Sequence, residues 1–272
     1  MPERRPCTFS TNAAEHAVHL VPLPALADNY IWLLHDDAGR AIVVDPGDDA
    51  PVEQALVARG LRLHAILLTH HHPDHIDGAT ALRHRHGALV YAPEDERIAM
   101  ATVHVRDGER IALAEPQAGF DVLAVPGHTL SHVAYHGEGV LLAGDTLFSM
   151  GCGRLFEGTP AQMLASLDRL AALPANTLLC CGHEYTAANG RFAREIEPDN
   201  AALSKRARKV AALRAEQLPS LPVPMGIELA TNPFLRIDAP AVIDWCRQQA
   251  GDATDRIARF ATVRAAKDSF RA

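Results

Sequence analysis

The stretch Ile66–Gly78, "ILLTHHHPDHIDG", sets four histidines and two aspartates into the nine positions 70–78, directly behind a run of aliphatic residues. A short apolar run bounded by polar residues reads as a buried strand. Histidine and aspartate are poor core residues and poor strand continuations, so their concentration at the strand's end calls for a chemical reason. In an extended or turning segment, residues i and i+2 point the same way. His70 and His72 can therefore reach one metal ion while His71 points elsewhere. Pro73 turns the chain, after which Asp74 and His75 can face a second ion close by. A strand end suits this purpose because it fixes the first ligands on a rigid element.

Three later segments each supply one matching donor: His128 in "VPGHT", Asp145 in "LAGDTLF" and His183 in "CCGHEYT". Each follows an apolar strand and a glycine, the pattern of residues gathered at one edge of a sheet. Five histidines and two aspartates without a cysteine suit catalytic zinc, iron or manganese better than a structural zinc site. A carboxylate between two ions can bridge them, and Asp145 is the candidate. The other ten of the 15 histidines read as ordinary core or surface residues, with His132 a minor candidate for supporting a ligand.

Around this cluster, apolar strands alternate with turns and a few helices from about residue 18 to 183. "RAIVVDPGD" reads as a strand ending at a Pro-Gly turn, and "PVEQALVARG" as a helix closed by glycine. "TPAQMLASLDRLAALP" is an amphipathic helix. After Thr186 the texture becomes rich in Ala, Arg, Lys and Glu at helical spacing, and the last stretch reads as two more helices. The expectation is an α/β catalytic domain over residues 1–186, with 1–17 as an N-terminal extension, and a helical domain over 187–272.

Composition sets the outer bounds. A chain of 272 residues, 48% hydrophobic and 22% charged, is globular and long enough for a buried core. A net charge of −7 argues against a general nucleic-acid binder, though not against a local cationic pocket. No apolar run approaches the roughly 18 residues that span a bilayer. The N-terminal "MPERRPCTFSTNAAEHAV" has no apolar segment of the kind that directs secretion. Five cysteines without a CxxC pair read as incidental thiols of a reduced, cytoplasmic protein.

"THHHPDH", "GHT", "GDT" and "GHE", in this order, resemble the motif set of the metallo-β-lactamase superfamily. That resemblance implies an α/β fold, a four-layer αββα sandwich with metals at one edge of two sheets. "LPALADNY", "VVDPGD", "GDTLFSMGCGRLFEGT", "CGHEYT", "NPFLR" and "VRAAKDSF" further resemble the glyoxalase II, or hydroxyacylglutathione hydrolase, family, over nearly the whole chain from about residue 19. The resemblance implies one metal on His70, His72 and His128, a second on Asp74, His75 and His183, and Asp145 between them. It makes Asp45 a carboxylate that orients a ligand histidine, an arrangement with a physical reason.

On the substrate side it implies that Arg154, Tyr185, Arg264 and Lys267 contact glutathione. Arg264 and Lys267 lie three apart on an expected helix and share a face. Phe156 departs from the pattern, standing where some members carry tyrosine. The implied reaction is hydrolysis of S-(2-hydroxyacyl)glutathione by a hydroxide held between two divalent ions, with Asp74 and Asp145 as the catalytic carboxylates. Zinc is the expected metal, with iron or manganese as alternatives, in a cytoplasmic monomer without nucleic-acid or membrane partners. The rivals are a persulfide dioxygenase or another thioester hydrolase of the same fold, and a non-catalytic metal-binding scaffold.

Overall fold

The computed structural model describes residues 9–10, 18–250 and 255–271. Apart from 9–10, the N-terminal extension expected over 1–17 lies outside the described residues, as does Cys7. The chain forms two compact units: residues 1–124 with 133–144, and 125–132 with 145–272.

The first unit opens with β1 (Phe9–Ser10), β2 (His19–Ala25), β3 (Asn29–His35) and β4 (Arg40–Val44), followed by α1 (Asp49–Arg59) and β5 (Arg62–Leu67). Two short helices, α2 (Pro73–Ile76) and α3 (Ala79–His86), lead to β6 (Leu89–Pro93) and β7 (Val103–Val105). These seven strands form one sheet in chain order, antiparallel from β1 to β4 and parallel from β4 to β7. Helices α1 and α3 provide the crossovers that the parallel pairs β4–β5 and β5–β6 require, and the segment 94–102 provides the one from β6 to β7. The Asp48 carboxylate caps α1 by accepting from Ala50 N, and Gly60 ends it in the left-handed region at φ 65°.

One face of the sheet packs Val21, Leu33, Val43 and Ile66 against Val52 and Leu56 of α1 and Leu82 of α3. Each such buried aliphatic side chain contributes about 1.5–3 kcal/mol. The unit continues with β8 (Arg110–Ala114), β9 (Gln117–Ala124), β10 (Val133–Gly137) and β11 (Val140–Gly144), an antiparallel meander. The meander is tied to the end of β5: the Tyr135 hydroxyl donates to Leu68 O at 2.7 Å, and Val133 N donates to Thr69 O at 3.0 Å. The segment entering the histidine cluster is thus clamped by side-chain packing on one face and by hydrogen bonds on the other.

The second unit holds the hairpin β12 (Leu147–Phe148) and β13 (Gly151–Cys152), the helix α4 (Pro160–Ala171), and β14 (Leu178–Cys181). There follow α5 (Thr186–Ile196), α6 (Ala201–Ala215), β15 (Val223–Pro224), α7 (Met225–Thr231), α8 (Pro240–Ala250) and α9 (Arg256–Ser269). Strand β15 pairs antiparallel with β14. Thr159 and Gln162 form a reciprocal capping box at the start of α4, behind Pro160. Phe192 stacks on Phe234 in the core of this unit, and Phe260, Trp245 and Phe270 meet this pair edge-on. Because α4 packs on α9 and β13 on α5, the compact units divide near 144, whereas the sequence texture changes near 187.

No disulfide joins Cys152, Cys180, Cys181 or Cys246, all of them buried. Burial pushes the Cys152 thiol up to about 11, so it is protonated at neutral pH and a poor nucleophile. No helix among the described residues is long and apolar enough to cross a membrane.

Tyr135 is fully buried and ties the meander to Leu68 through one hydroxyl. Tyr135→Phe is expected to lower the unfolding free energy by about 1–3 kcal/mol. Urea denaturation followed by circular dichroism measures this, and an unchanged midpoint would show that the bond contributes nothing.

Candidate metal centre

Each unit carries its own donor set. In the first, β4 ends at Asp45, which adopts φ 50°, a conformation that aspartate tolerates better than bulkier residues. Its Oδ1 accepts from Thr69 N at 2.8 Å, and its Oδ2 accepts from the Thr69 hydroxyl at 2.7 Å and from His75 Nδ1 at 3.1 Å. Since the Thr69 hydroxyl donates to Asp45, its lone pair receives His70 Nδ1–H at 2.9 Å. One carboxylate therefore fixes the tautomer of two histidines, placing the lone pair of each on Nε2. A ligand atom from each of Asp45, His70 and His75 lies within 4.8 Å of the others.

His70 Nε2 lies 3.0 Å from His72 Nδ1, and His75 Nε2 lies 3.5 Å from Asp74 Oδ2. The i, i+2 pairing expected for His70 and His72 is the one observed. His71 is directed to Asp95, with Nδ1 3.5 Å from Oδ2. The turn expected at Pro73 is the single-turn helix α2, with the proline at its first position.

Asn29, at the start of β3, donates to Asp74 Oδ2 at 3.0 Å and to Asp74 O at 3.1 Å. Sequence reasoning gave Asn29 no role. Its only signal was its place in "ADNY", between two strands. Gly47 lies so close to this segment that a Cβ there would stand 1.9 Å from Asp74 O. The "DPGD" turn and the ligand segment are therefore packed backbone to backbone.

In the second unit, Asp145 Oδ2 lies 3.5 Å from His128 Nε2 and 3.3 Å from His183 Nε2. The carboxylate oxygen thus stands between two imidazole nitrogens. His128 Nδ1 donates to Arg154 O at 2.9 Å, which again leaves the lone pair on Nε2. His132, wholly buried, accepts from Asp145 N at 3.1 Å and so supports the backbone of that carboxylate. Tyr185 stacks flat on His183, with centroids 4.7 Å apart and planes 2° from parallel. Phe156 is 63% exposed and meets the His128 ring edge-on at 5.2 Å.

The cations expected to grip substrate divide. Arg264 is buried: it donates to Cys152 O at 2.7 Å and to Asp268 Oδ1 at 3.0 Å, and its guanidinium lies over Phe234. It is first of all a strut between α9 and the hairpin. Lys267 is partly buried, with its ammonium over Phe192 and Phe270 at 5.7 and 5.8 Å. Burial lowers its pKa, and the neighbouring Arg264 and Arg154 lower it further. The Arg154 side chain is exposed, 3.7 Å from Asp268.

The donor chemistry, nitrogen and carboxylate oxygen with the histidine tautomers fixed from behind, fits divalent metal ions. Residues 27–183 match the family model described as "Metallo-beta-lactamase superfamily". Residues 184–270 match "Hydroxyacylglutathione hydrolase C-terminus". The chain is 50% identical over 257 residues to a hydroxyacylglutathione hydrolase of Xanthomonas campestris pv. campestris (strain B100), covering 94% of this chain and all of the relative. It is 51% identical to that of Methylobacillus flagellatus, covering 92% of this chain and 99% of the relative. Among solved structures, ETHE1 from Myxococcus xanthus is 32% identical with a TM-score of 0.56, covering 78% of this chain and 96% of that one. The BLEG-1 B3 metallo-β-lactamase shares the fold at 24% identity and a TM-score of 0.62, covering 79% of this chain and 99% of that one. The chain belongs to the metallo-β-lactamase superfamily and, within it, to the hydroxyacylglutathione hydrolase family.

In Asp45→Asn, an amide NH₂ faces either Thr69 N–H or the Thr69 and His75 donors, so at least one contact becomes donor against donor. Metal affinity is expected to fall about 10- to 100-fold. Competition with a chromophoric chelator measures it, and an unchanged affinity would remove Asp45 from the centre. His71→Ala is expected to leave metal content as it was, since its side chain is turned to Asp95.

Proposed function

We propose that this chain hydrolyses S-(2-hydroxyacyl)glutathione thioesters, S-D-lactoylglutathione among them, to glutathione and a 2-hydroxy acid. The observation that carries the reading is Asp145, whose carboxylate stands between two histidine nitrogens in a chain 50% identical, over 94% of its length, to a hydroxyacylglutathione hydrolase. On this reading His70, His72 and His128 would hold one divalent ion, Asp74, His75 and His183 would hold another, and Asp145 would serve both. The ions would be zinc, with iron or manganese as alternatives.

When bound, such ions polarise a carbonyl and bring the pKa of water down towards neutrality. The protein's own groups do the rest. Asp74, oriented by Asn29, accepts a hydrogen bond from the attacking water and directs its lone pair at the thioester carbon. The carbon–oxygen bond forms, the carbon–sulfur bond breaks, and the proton given up by the attacking water ends on the departing sulfur. The sulfur leaves as a thiolate, so no strong general acid is required. Tyr185, Arg154 and Lys267 hold the glutathione half, the cations meeting its carboxylates. The chain acts as a cytoplasmic monomer.

Loss of the thioester absorbance of S-D-lactoylglutathione with purified protein tests the activity. Oxygen uptake on glutathione persulfide, measured beside it, separates a dioxygenase. Uptake without thioester loss would overturn the proposal. Lys267→Ala removes a charge-assisted hydrogen bond worth about 1.5–3 kcal/mol. At 1.36 kcal/mol per tenfold, this is a drop of roughly 10- to 150-fold in kcat/KM. The drop is expected in KM, because the contact is remote from the reacting carbon. Arg264→Ala should lower kcat as well, since it also releases the Cys152 carbonyl. A Lys267→Ala enzyme with unchanged KM would leave a thioester hydrolase without this glutathione contact.

A further inference from the structure

The hairpin β12–β13 has the metal-ligand candidates at its feet. Asp145 stands two residues before β12, and Arg154, whose carbonyl accepts from His128 Nδ1, stands two residues after β13. The feet are tied to each other, since Gly153 N donates to Thr146 O at 3.1 Å. A Cβ on Gly153 would lie 1.9 Å from Asp145 O and 3.2 Å from His128 Nδ1, so the two foot segments are in direct contact. Any shift in the register of this two-residue ladder would move the carboxylate and the His128 partner together.

What sets the register is a side-chain network at the tip. Glu228, on α7 and wholly buried, accepts from the Ser149 hydroxyl at 2.6 Å and from Met150 N at 2.7 Å. Asn232, directly after α7, donates to Phe148 O and to Gly151 O, both at 3.0 Å, and its amide lies 3.2 Å from Glu228 Oε2. Met150 is held at φ 56°, a costly conformation for a non-glycine residue that persists only where its surroundings over-determine it. Arg206, also buried, donates to Ser220 O at 2.9 Å and brings a compensating charge near Glu228. A buried carboxylate with three donors and a nearby cation is expensive to assemble unless the turn it holds matters. Glu228 touches no group that the proposed reaction uses.

We propose that Glu228, together with Asn232, is a positioning residue for the metal centre, locking the tip of the β12–β13 hairpin so that its feet present Asp145 and His128 in the geometry that metal binding needs. The inference rests on the metal-binding reading above. It gives α7 of the C-terminal region a task separate from holding glutathione: it maintains the second unit's half of the centre.

The test compares parent, Glu228→Gln, Glu228→Ala and Asn232→Ala, each stripped with chelator and then reloaded with zinc or cobalt. Three quantities are read: metal affinity by chelator competition, the rise in Tm on reloading, and the ligand-field bands of the cobalt form. Glu228→Ala and Asn232→Ala are expected to bind metal about 10- to 100-fold more weakly, as when partners of metal ligands are removed. They should also show a smaller rise in Tm on reloading and altered cobalt bands.

Glu228→Gln should recover most of the affinity, because its amide oxygen can accept from Met150 N while its NH₂ donates to Ser149 Oγ. Should Glu228→Ala not fold, Asn232→Ala and Ser149→Ala carry the comparison. A merely structural role lowers the stripped and reloaded Tm equally and leaves affinity and cobalt bands as in the parent. That outcome, in a parent that binds metal, overturns this inference alone. A parent that binds no metal overturns the metal-binding reading and this inference with it.

Discussion

The buried carboxylate of Asp45 is the contact on which the first unit's chemistry depends. It receives three hydrogen bonds at 2.7–3.1 Å, from the Thr69 amide, the Thr69 hydroxyl and His75 Nδ1. Through the hydroxyl it also governs His70. Hydrogen bonds to a carboxylate acceptor are about twice as strong as those between neutral groups. The sheet exists, from this viewpoint, to bring the ends of β4 and β5 side by side. Their parallel pairing, Val44 beside Leu67, puts Asp45 next to the segment that begins at Leu68.

The second unit solves the same problem with main chain instead of carboxylate. His128 is oriented by a backbone carbonyl, and Asp145 is supported at its amide by a buried histidine. Such contacts need an accurately placed backbone. The unit is accordingly rich in polar side chains that bind main-chain atoms: Asn189 to Ser149 O, Asn232 to Phe148 O and Gly151 O, and Arg264 to Cys152 O. All of these converge on the few residues of one hairpin.

Much of this was legible in advance, and the reason is periodicity. The direction of His70 and His72 against His71 followed from the two-residue repeat of extended chain. Helix α1 followed from its closing glycine, and α4 and α9 from helical spacing. What escaped shares a different feature. Asn29, Glu228 and Asn232 act by hydrogen bonds to residues 45 to 84 positions away, and such pairing leaves no local pattern. Helix α7 was missed because seven residues give too few turns for an apolar stripe to declare itself. The spacing of Arg264 and Lys267 puts them on one face, and resemblance makes both glutathione contacts, whereas tertiary packing buries Arg264 against Phe234 and the hairpin backbone. Spacing identifies neighbours on a helix but does not say what lies opposite.

The partner chosen for His128 bears on how such an enzyme can change over generations. Every residue type offers a main-chain oxygen, so the acceptor at position 154 survives any replacement of the arginine that carries it. That side chain, exposed and directed elsewhere, is left open to variation while the imidazole behind it keeps its tautomer. Asp45 has no such insurance, because its three contacts all end on side-chain oxygens. The two halves of the donor system therefore differ in mutational robustness: the partner of His128 tolerates any side chain at position 154, whereas that of His75 requires one particular carboxylate.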